Sequence, residues 1–392
     1  MYIPAELNDF DLPREIEKDS DYYNDLDSYL NSYYNHICNK LGEYPQIVDE
    51  INENIVLIKE SLKSYYNGRL DKAYYCIKEI LQKYADKDNA TQFVVSIMDE
   101  NYAFRGNAPK AIRPNTYTCK VYEQEYEKML EHKLTFFKAR VGNEKIKAKD
   151  MLHIPFGKRE IISTQRFSIP GIPCIYLSTS SYGSWIEMGC PESSQFQVSS
   201  FEVPNDIRVL NLCIQQYLID GMTSVIENLE EEQRAKACLG IFPLVIATSY
   251  RVKQNDRKFK SEYIISQIVM QVCGELGIDG VAYLSKRTRD IYAYPQAVNL
   301  AIAIPNNDKM QYWERAEKIK LTEPVRFIDF LEKGLRNQDI EQEFLSYVCE
   351  IYKKNYSRNV YLGDKEIEYI KTDFAAFDEY ILKQKFTCYT DL

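Results

Sequence analysis

The sequence predicts an α+β protein, with a mixed α and β centre and helical regions toward both ends. Three observations carry that prediction. Over roughly the first 85 residues apolar side chains recur at helical spacing. Between about 131 and 310 short β-branched and aromatic runs alternate with one clear helix, and beyond Pro305 the apolar period is helical again. A chain of 392 residues exceeds one ordinary core, so two or three units are expected. We place them at about 1–120, 131–310 and 311–392.

From Asp19 to Tyr84 the chain is rich in helix formers. Ile51, Ile55, Ile58 and Leu62 share one face, and Ala73, Ile77 and Leu81 mark a second helix from Leu70, with Asn67-Gly68 turning between them. Between Asp88 and Thr118 Gly, Asn and Pro break the pattern, which suits a linker, and a helical approach through Tyr122–Lys133 follows. Strands are expected in LTFFKARVG (134–142), CIYLSTS (174–180), SQFQVSSFEV (194–203), DIRVLNLC (206–213) and NLAIAIP (299–305). Ile264, Ile265, Ile268, Val269 and Val272 make the apolar face of a helix from Glu262 to Leu276, stopped by Gly277. FIDFLEKGL and EFLSYVCEIYKKN continue the helical pattern toward residue 392.

Composition excludes several classes. With 45% hydrophobic and 27% charged residues the chain is globular rather than disordered. A net charge of −9 disfavours nucleic-acid binding. No apolar stretch reaches the ~20 residues that cross a bilayer, and the first residues are acidic rather than leader-like, so a soluble cytoplasmic protein without membrane attachment is expected. The ten cysteines contain no C-x-x-C pair, and metal-ligand spacings such as H-E-x-x-H are absent; we expect reduced thiols and no metal. Neither a dinucleotide-fold glycine motif nor a P-loop occurs. Many of the 32 tyrosines lie in the first 130 residues, where they suit helix packing and offer a surface for homo-oligomers. His36 has no Arg placed before it as helical ribonuclease domains require, so that region reads as regulatory or structural.

The centre holds a spaced polar set: Arg140 at a strand end, then Arg166, Tyr176 and Glu187 at intervals of 26, 10 and 11. The text from His153 to Gly189, HIPFGKREIISTQRFSIPGIPCIYLSTSSYGSWIEMG, resembles the RES family. The family's parts match Arg140, Arg166 with Ser168, Gly171 and Pro173, the Ile175-Tyr176-Leu177 strand and Glu187. The likeness resumes in SEYIISQ (261–267) and GIDGVAYLS (277–285), with Asn299 before a strand. It covers under half the chain. The resemblance implies a fold similar to ADP-ribosyltransferases, breakdown of NAD by hydrolysis or phosphorolysis, and a toxin or defence effector held by an antitoxin or other regulatory protein. NAD would be substrate, so no cofactor is implied, although inorganic phosphate is a candidate co-substrate.

The residue types suit that chemistry. Cleaving nicotinamide from ribose leaves an oxocarbenium-like sugar, which a carboxylate stabilises, and Glu187 is the candidate. Guanidinium groups match phosphate oxygens, a role for Arg140 and Arg166, with Arg159 as the competitor of Arg166. The Tyr176 ring can stack on nicotinamide, or its strand face can be core. Ser285 is preferred over Ser261 and Ser266 as a hydrogen-bonding wall residue; Ser168 and Gln267 complete the substrate-binding set. Without the resemblance Glu187 reads as a solvated side chain, and His153 reads as packed rather than basic. Two rivals stand beside NAD breakdown: ADP-ribosyl transfer to a protein or nucleic acid, and a non-catalytic nucleotide-binding module. Because residues 1–120 hold no catalytic set, their removal is expected to leave the chemistry possible in the remainder.

Overall fold

The computed structural model describes residues 10–85, 91–105, 133–216, 219, 222–223, 226, 228–254, 257–305, 312–333, 344–349 and 359–392. The expected helical approach, but for its last residue Lys133, and most of the linker lie outside them. In chain order the elements are β1 (Arg14–Ile16), α1 (Tyr22–Leu41), α2 (Pro45–Tyr66), α3 (Leu70–Ala85), β2 (Val95–Ile97), β3 (Phe136–Val141), β4 (Cys174–Ser178), α4 (Ser181–Glu187), β5 (Phe196–Glu202) and β6 (Arg208–Leu212). Then come α5 (Leu229–Ala247), β7 (Tyr250–Val252), α6 (Ile264–Glu275), β8 (Gly280–Leu284), β9 (Val298–Ala303), β10 (Lys320–Leu321), β11 (Val325–Arg326), α7 (Phe327–Glu332), β12 (Asn359–Leu362), β13 (Lys365–Glu368), α8 (Asp373–Leu382) and β14 (Thr387–Cys388). The fold is α+β with helices toward both ends, and all five expected strands form. Gly68 and Gly277 adopt positive φ where the α2–α3 turn and the end of α6 need it.

The chain folds as two compact units, each discontinuous in sequence. The first comprises Met1–Tyr126, Ser163–Pro170 and Ile207–Asp290; the second comprises Glu127–Ile162, Gly171–Asp206 and Ile291–Leu392. These packing units interleave along the sequence, whereas the sequence division at 1–120, 131–310 and 311–392 is contiguous.

In the first unit the reason is α5. From Ala237 to Ala247 it is buried on every side, so it needs cover that one neighbour cannot supply. The N-terminal helices supply it: Tyr33 and Tyr22 donate from their hydroxyls to the Leu239 and Ala247 carbonyls at 2.9 Å, and Asn54 Nδ2 donates to the Gly240 carbonyl at 2.9 Å. β1 pairs in parallel with β7, Arg14 opposite Tyr250. The strands β8, β6 and β2 lie side by side, β2 arising within the stretch expected to be linker.

In the second unit six strands run in the order β14, β10, β5, β3, β4, β9. Helices α7 and α8 pack Phe327, Phe330, Phe374 and Phe377 into one aromatic cluster. The C-terminal stretch also contains a β12–β13 hairpin turned at Gly363, which the helical reading of that stretch did not include. Its LGDK turn between alternating apolar residues is the signal for it. Most of EFLSYVCEIYKKN lies outside the described residues.

Candidate functional site

Helix α4 is the element that positions Glu187. Ser180 caps it by accepting from the Gly183 amide at 2.9 Å, and Thr179 donates from its hydroxyl to the Pro295 carbonyl at 2.6 Å. A Cβ on Gly183 would collide with Ser178 Oγ and stand 2.9 Å from the Gln296 carbonyl oxygen, so only glycine lets the helix lie this close to β4 and the turn before β9. Ser184 Oγ donates to the Phe137 carbonyl at 3.2 Å and ties the next turn to β3.

At the far end of α4 the half-buried Glu187 accepts from Asn299 Nδ2 at 2.8 Å. Asn299 is 3% exposed and lies opposite Ser178 in the antiparallel β4–β9 ladder. Because side chains alternate along a strand, Asn299, Ser178, Tyr176 and Cys174 share one face of the sheet. Tyr176 is half-buried there, between the buried Ile175 and Leu177 that point the other way, and Ala301 opposite it offers no bulk. Glu187 and Tyr176 thus stand on one side of one sheet.

Arg140 and Lys138 alternate with the buried Phe137 and Ala139 on β3. Phe137 lies opposite Ser178 in the β3–β4 pairing, so Lys138 and Arg140 alternate to the other side of the sheet from Ser178 and Glu187; burial pushes the Cys174 thiol up to about 12, opposed by Tyr176 and Lys138. Burial lowers Arg140, opposed by Asp150 and Tyr312. Its Nε is buried without a hydrogen-bond partner, an unusual state for so strong a donor, and one that an incoming anion would relieve. Burial and the neighbouring Arg140 bring the Lys138 ammonium down to about 7; its Nζ donates to the Leu152 carbonyl at 2.6 Å. Arg159 lies over the Phe156 ring at 5.5 Å. His153 is the packed residue its context suggests: Nδ1 meets the Ile154 carbonyl at 2.8 Å, Nε2 accepts from the Trp313 amide at 3.0 Å, and burial lowers it to about 4.

The remaining predicted residues belong to the first unit, where the structure gives them framework partners. Arg166, expected to meet phosphate, donates from Nη1 to the Thr248 carbonyl and from Nη2 to the Tyr250 carbonyl, both at 2.9 Å, and lies over the Tyr263 ring at 5.1 Å. Both terminal nitrogens thus serve carbonyls just beyond α5, which no intrahelical donor can reach. Gln267 Nε2 donates to Thr164 Oγ1 at 2.9 Å and to the Gln165 and Ser168 carbonyls, so it holds the 165–168 turn. Ser168 is buried at the end of that turn. Ser285 is 1% exposed and accepts from the Arg287 amide at 3.2 Å.

Sequence reasoning missed Lys138 and the role of Asn299. A lysine two positions before Arg140 on one strand face, and a lone amide in the apolar run VNLAIAI, are the signals that could have found them. Among the described residues no three His, Cys, Asp or Glu side chains gather as a metal site would need, and no helix is long and apolar enough to cross a membrane.

No protein-family model matches the chain, and no solved structure matches it. It is similar to a Bacillus subtilis (strain 168) protein described as "Putative toxin YopC", with 27% identity over 324 residues, which span 78% of this chain and 67% of that protein.

Proposed function

We propose that this chain is a toxin of the RES type that cleaves NAD between nicotinamide and ribose. The observation that carries the reading is Glu187, oriented by Asn299 on the sheet face that also bears Tyr176. A fixed carboxylate meets the charge that develops on the ribose as nicotinamide departs, and because its position is set beforehand no reorganisation is needed at that moment. Tyr176 stacks on the leaving ring. Arg140, whose buried Nε has no hydrogen-bond partner, is the candidate for the pyrophosphate. The similarity to a protein described as a toxin supports the biological role, and a toxin implies a protein that restrains it.

The test is incubation of purified protein with labelled NAD, with and without inorganic phosphate. Release of nicotinamide with soluble ADP-ribose, or its phosphate adduct when phosphate is present, is expected. Label retained on macromolecule would instead mean ADP-ribosyl transfer, and intact NAD would overturn the reading.

A further inference from the structure

The C-terminal helix α8 reaches the start of the Glu187 helix. Asp378 is fully buried, and its Oδ1 accepts from the Ser181 amide, the first of α4, at 3.0 Å. Its Oδ2 accepts from the Tyr369 hydroxyl at 2.6 Å, and Tyr369 is itself fully buried. Phe374, one turn earlier on α8, packs against Tyr182 and Trp185 of α4 with ring centroids 5.7 and 5.2 Å away. Tyr182 also donates to the Tyr361 carbonyl at 3.1 Å. Polar and aromatic contacts therefore clamp α4 from the C-terminal stretch, although no residue of that stretch was expected to bear on the chemistry.

We propose that Asp378 is a positioning residue for Glu187: by capping α4 from α8 it sets where the Glu187 carboxylate stands. The inference rests on the NAD-cleaving reading of Glu187. A buried carboxylate is costly without strong partners, and an ordinary Ser, Thr or Asn cap would serve the amide alone. Holding both an amide and a phenol is what an ionised carboxylate does better than any neutral side chain, since charge-assisted hydrogen bonds are the stronger ones.

The clamp is poised near neutrality. Burial pushes the Asp378 carboxyl up to about 7, opposed by the hydrogen bonds from Ser181 and Tyr369 and reinforced by Glu379 on the same helix. The other titratable groups facing it are Tyr369 and the buried Cys349, both raised by burial and by Asp378. Glu379 is held in turn by the Leu345 and Ser346 amides at 2.9 and 2.8 Å. Above the midpoint the ionised carboxylate grips both donors; below it the charge facing the start of α4 is gone. Catalytic competence should accordingly rise as pH rises through about 7.

Two measurements on the full chain test this. The first follows kcat and directly measured NAD affinity against pH for wild type, Asp378→Asn, Asp378→Ala and Tyr369→Phe. Asp378→Ala should lower kcat about 10- to 100-fold with affinity nearly unchanged, the signature of a misplaced group rather than a lost ligand contact. Asp378→Asn should restore part of that loss and abolish the limb near 7. Tyr369→Phe, which keeps the ring, should move the limb upward by about one unit. The second needs no NAD: amide protection factors of residues 181–184, which remove the intrinsic pH dependence of exchange, and Trp185 emission in a Trp313→Phe background, read on both sides of neutrality. Wild type should change between the two conditions and Asp378→Asn should not. Equal exchange and emission in the two proteins would overturn the inference even if NAD is cleaved, as would an unchanged kcat limb in an active Asp378→Asn. A wild type that leaves NAD intact would overturn the proposed function, while exchange and emission still judge the clamp.

Discussion

In the proposed reaction, Glu187 and Arg140 separate chemistry from binding. Glu187 accepts a hydrogen bond from Asn299, and Glu187→Gln keeps the shape while removing the charge that answers the developing cation. It should depress kcat and leave NAD affinity intact. Arg140→Ala should instead weaken affinity, by about 1.5–3 kcal/mol if one charged hydrogen-bonded pair is lost. Calorimetric affinity alongside turnover checks both, and poor binding by Glu187→Gln or normal binding by Arg140→Ala would show the assigned roles to be mistaken. A second pair of residues sets pH dependence of stability. Asp378 titrates near 7 in the fold and near 3.9 when unfolded, so between those values the native state carries the extra proton and stability declines as pH rises. His153, near 4 in the fold, hands the extra proton to the unfolded chain up to about 6.5, so its contribution grows as pH rises. The two slopes oppose each other. Urea unfolding followed by tryptophan emission, at about pH 5 and about pH 7, should show Asp378→Asn gaining on wild type with rising pH and His153→Gln falling behind it.

At the scale of elements, α4 tolerates little. In Gly183→Ala the new methyl would collide with Ser178 Oγ and the Gln296 carbonyl, so a loss of about 1–3 kcal/mol is expected, together with a drop in kcat as Glu187 moves. Denaturant melts with NAD turnover measure both, and a fully stable, fully active variant would show that the helix has room. Periodic elements were legible in the sequence: α2, α3 and α6 announce one apolar face each, and β3 to β6 and β9 carry the β-branched and aromatic runs of strands. Helix α5 was not, because ACLGIFPLVIA is apolar all round and an even distribution has no period to read. Glu187 and Tyr176 entered the candidate set through the RES-like run around them, and the structure puts both on one side of one sheet. Arg166 was legible as a fixed residue but not in its role, since its carbonyl partners lie 82 and 84 positions away. Asp378 meets Ser181 across 197 positions, and nothing local to either residue signals the other.

At the scale of the molecule, the first 85 residues are part of the core that buries α5. Leu239, Ile241, Phe242, Leu244, Val245 and Ile246 are each at most 1% exposed, and each contributes about 1.5–3 kcal/mol when fully buried. A fragment lacking 1–120 should therefore expose that helix, bind an apolar dye strongly and lose cooperative melting, against the expectation from sequence that such a fragment retains the chemistry. A fragment with native circular dichroism and a sharp melt would reverse this. The tie between Tyr22 and Ala247 also has a temporal side. These residues are 225 positions apart, and at 5–20 residues per second the ribosome needs roughly 10 to 45 s to bring the second into being after the first. Throughout that interval the early helices wait, partly uncovered, for the segment they enclose. Translation itself therefore imposes a delay before the first unit can close, and whatever binds the nascent N-terminal helices during it reaches the protein before that unit is complete.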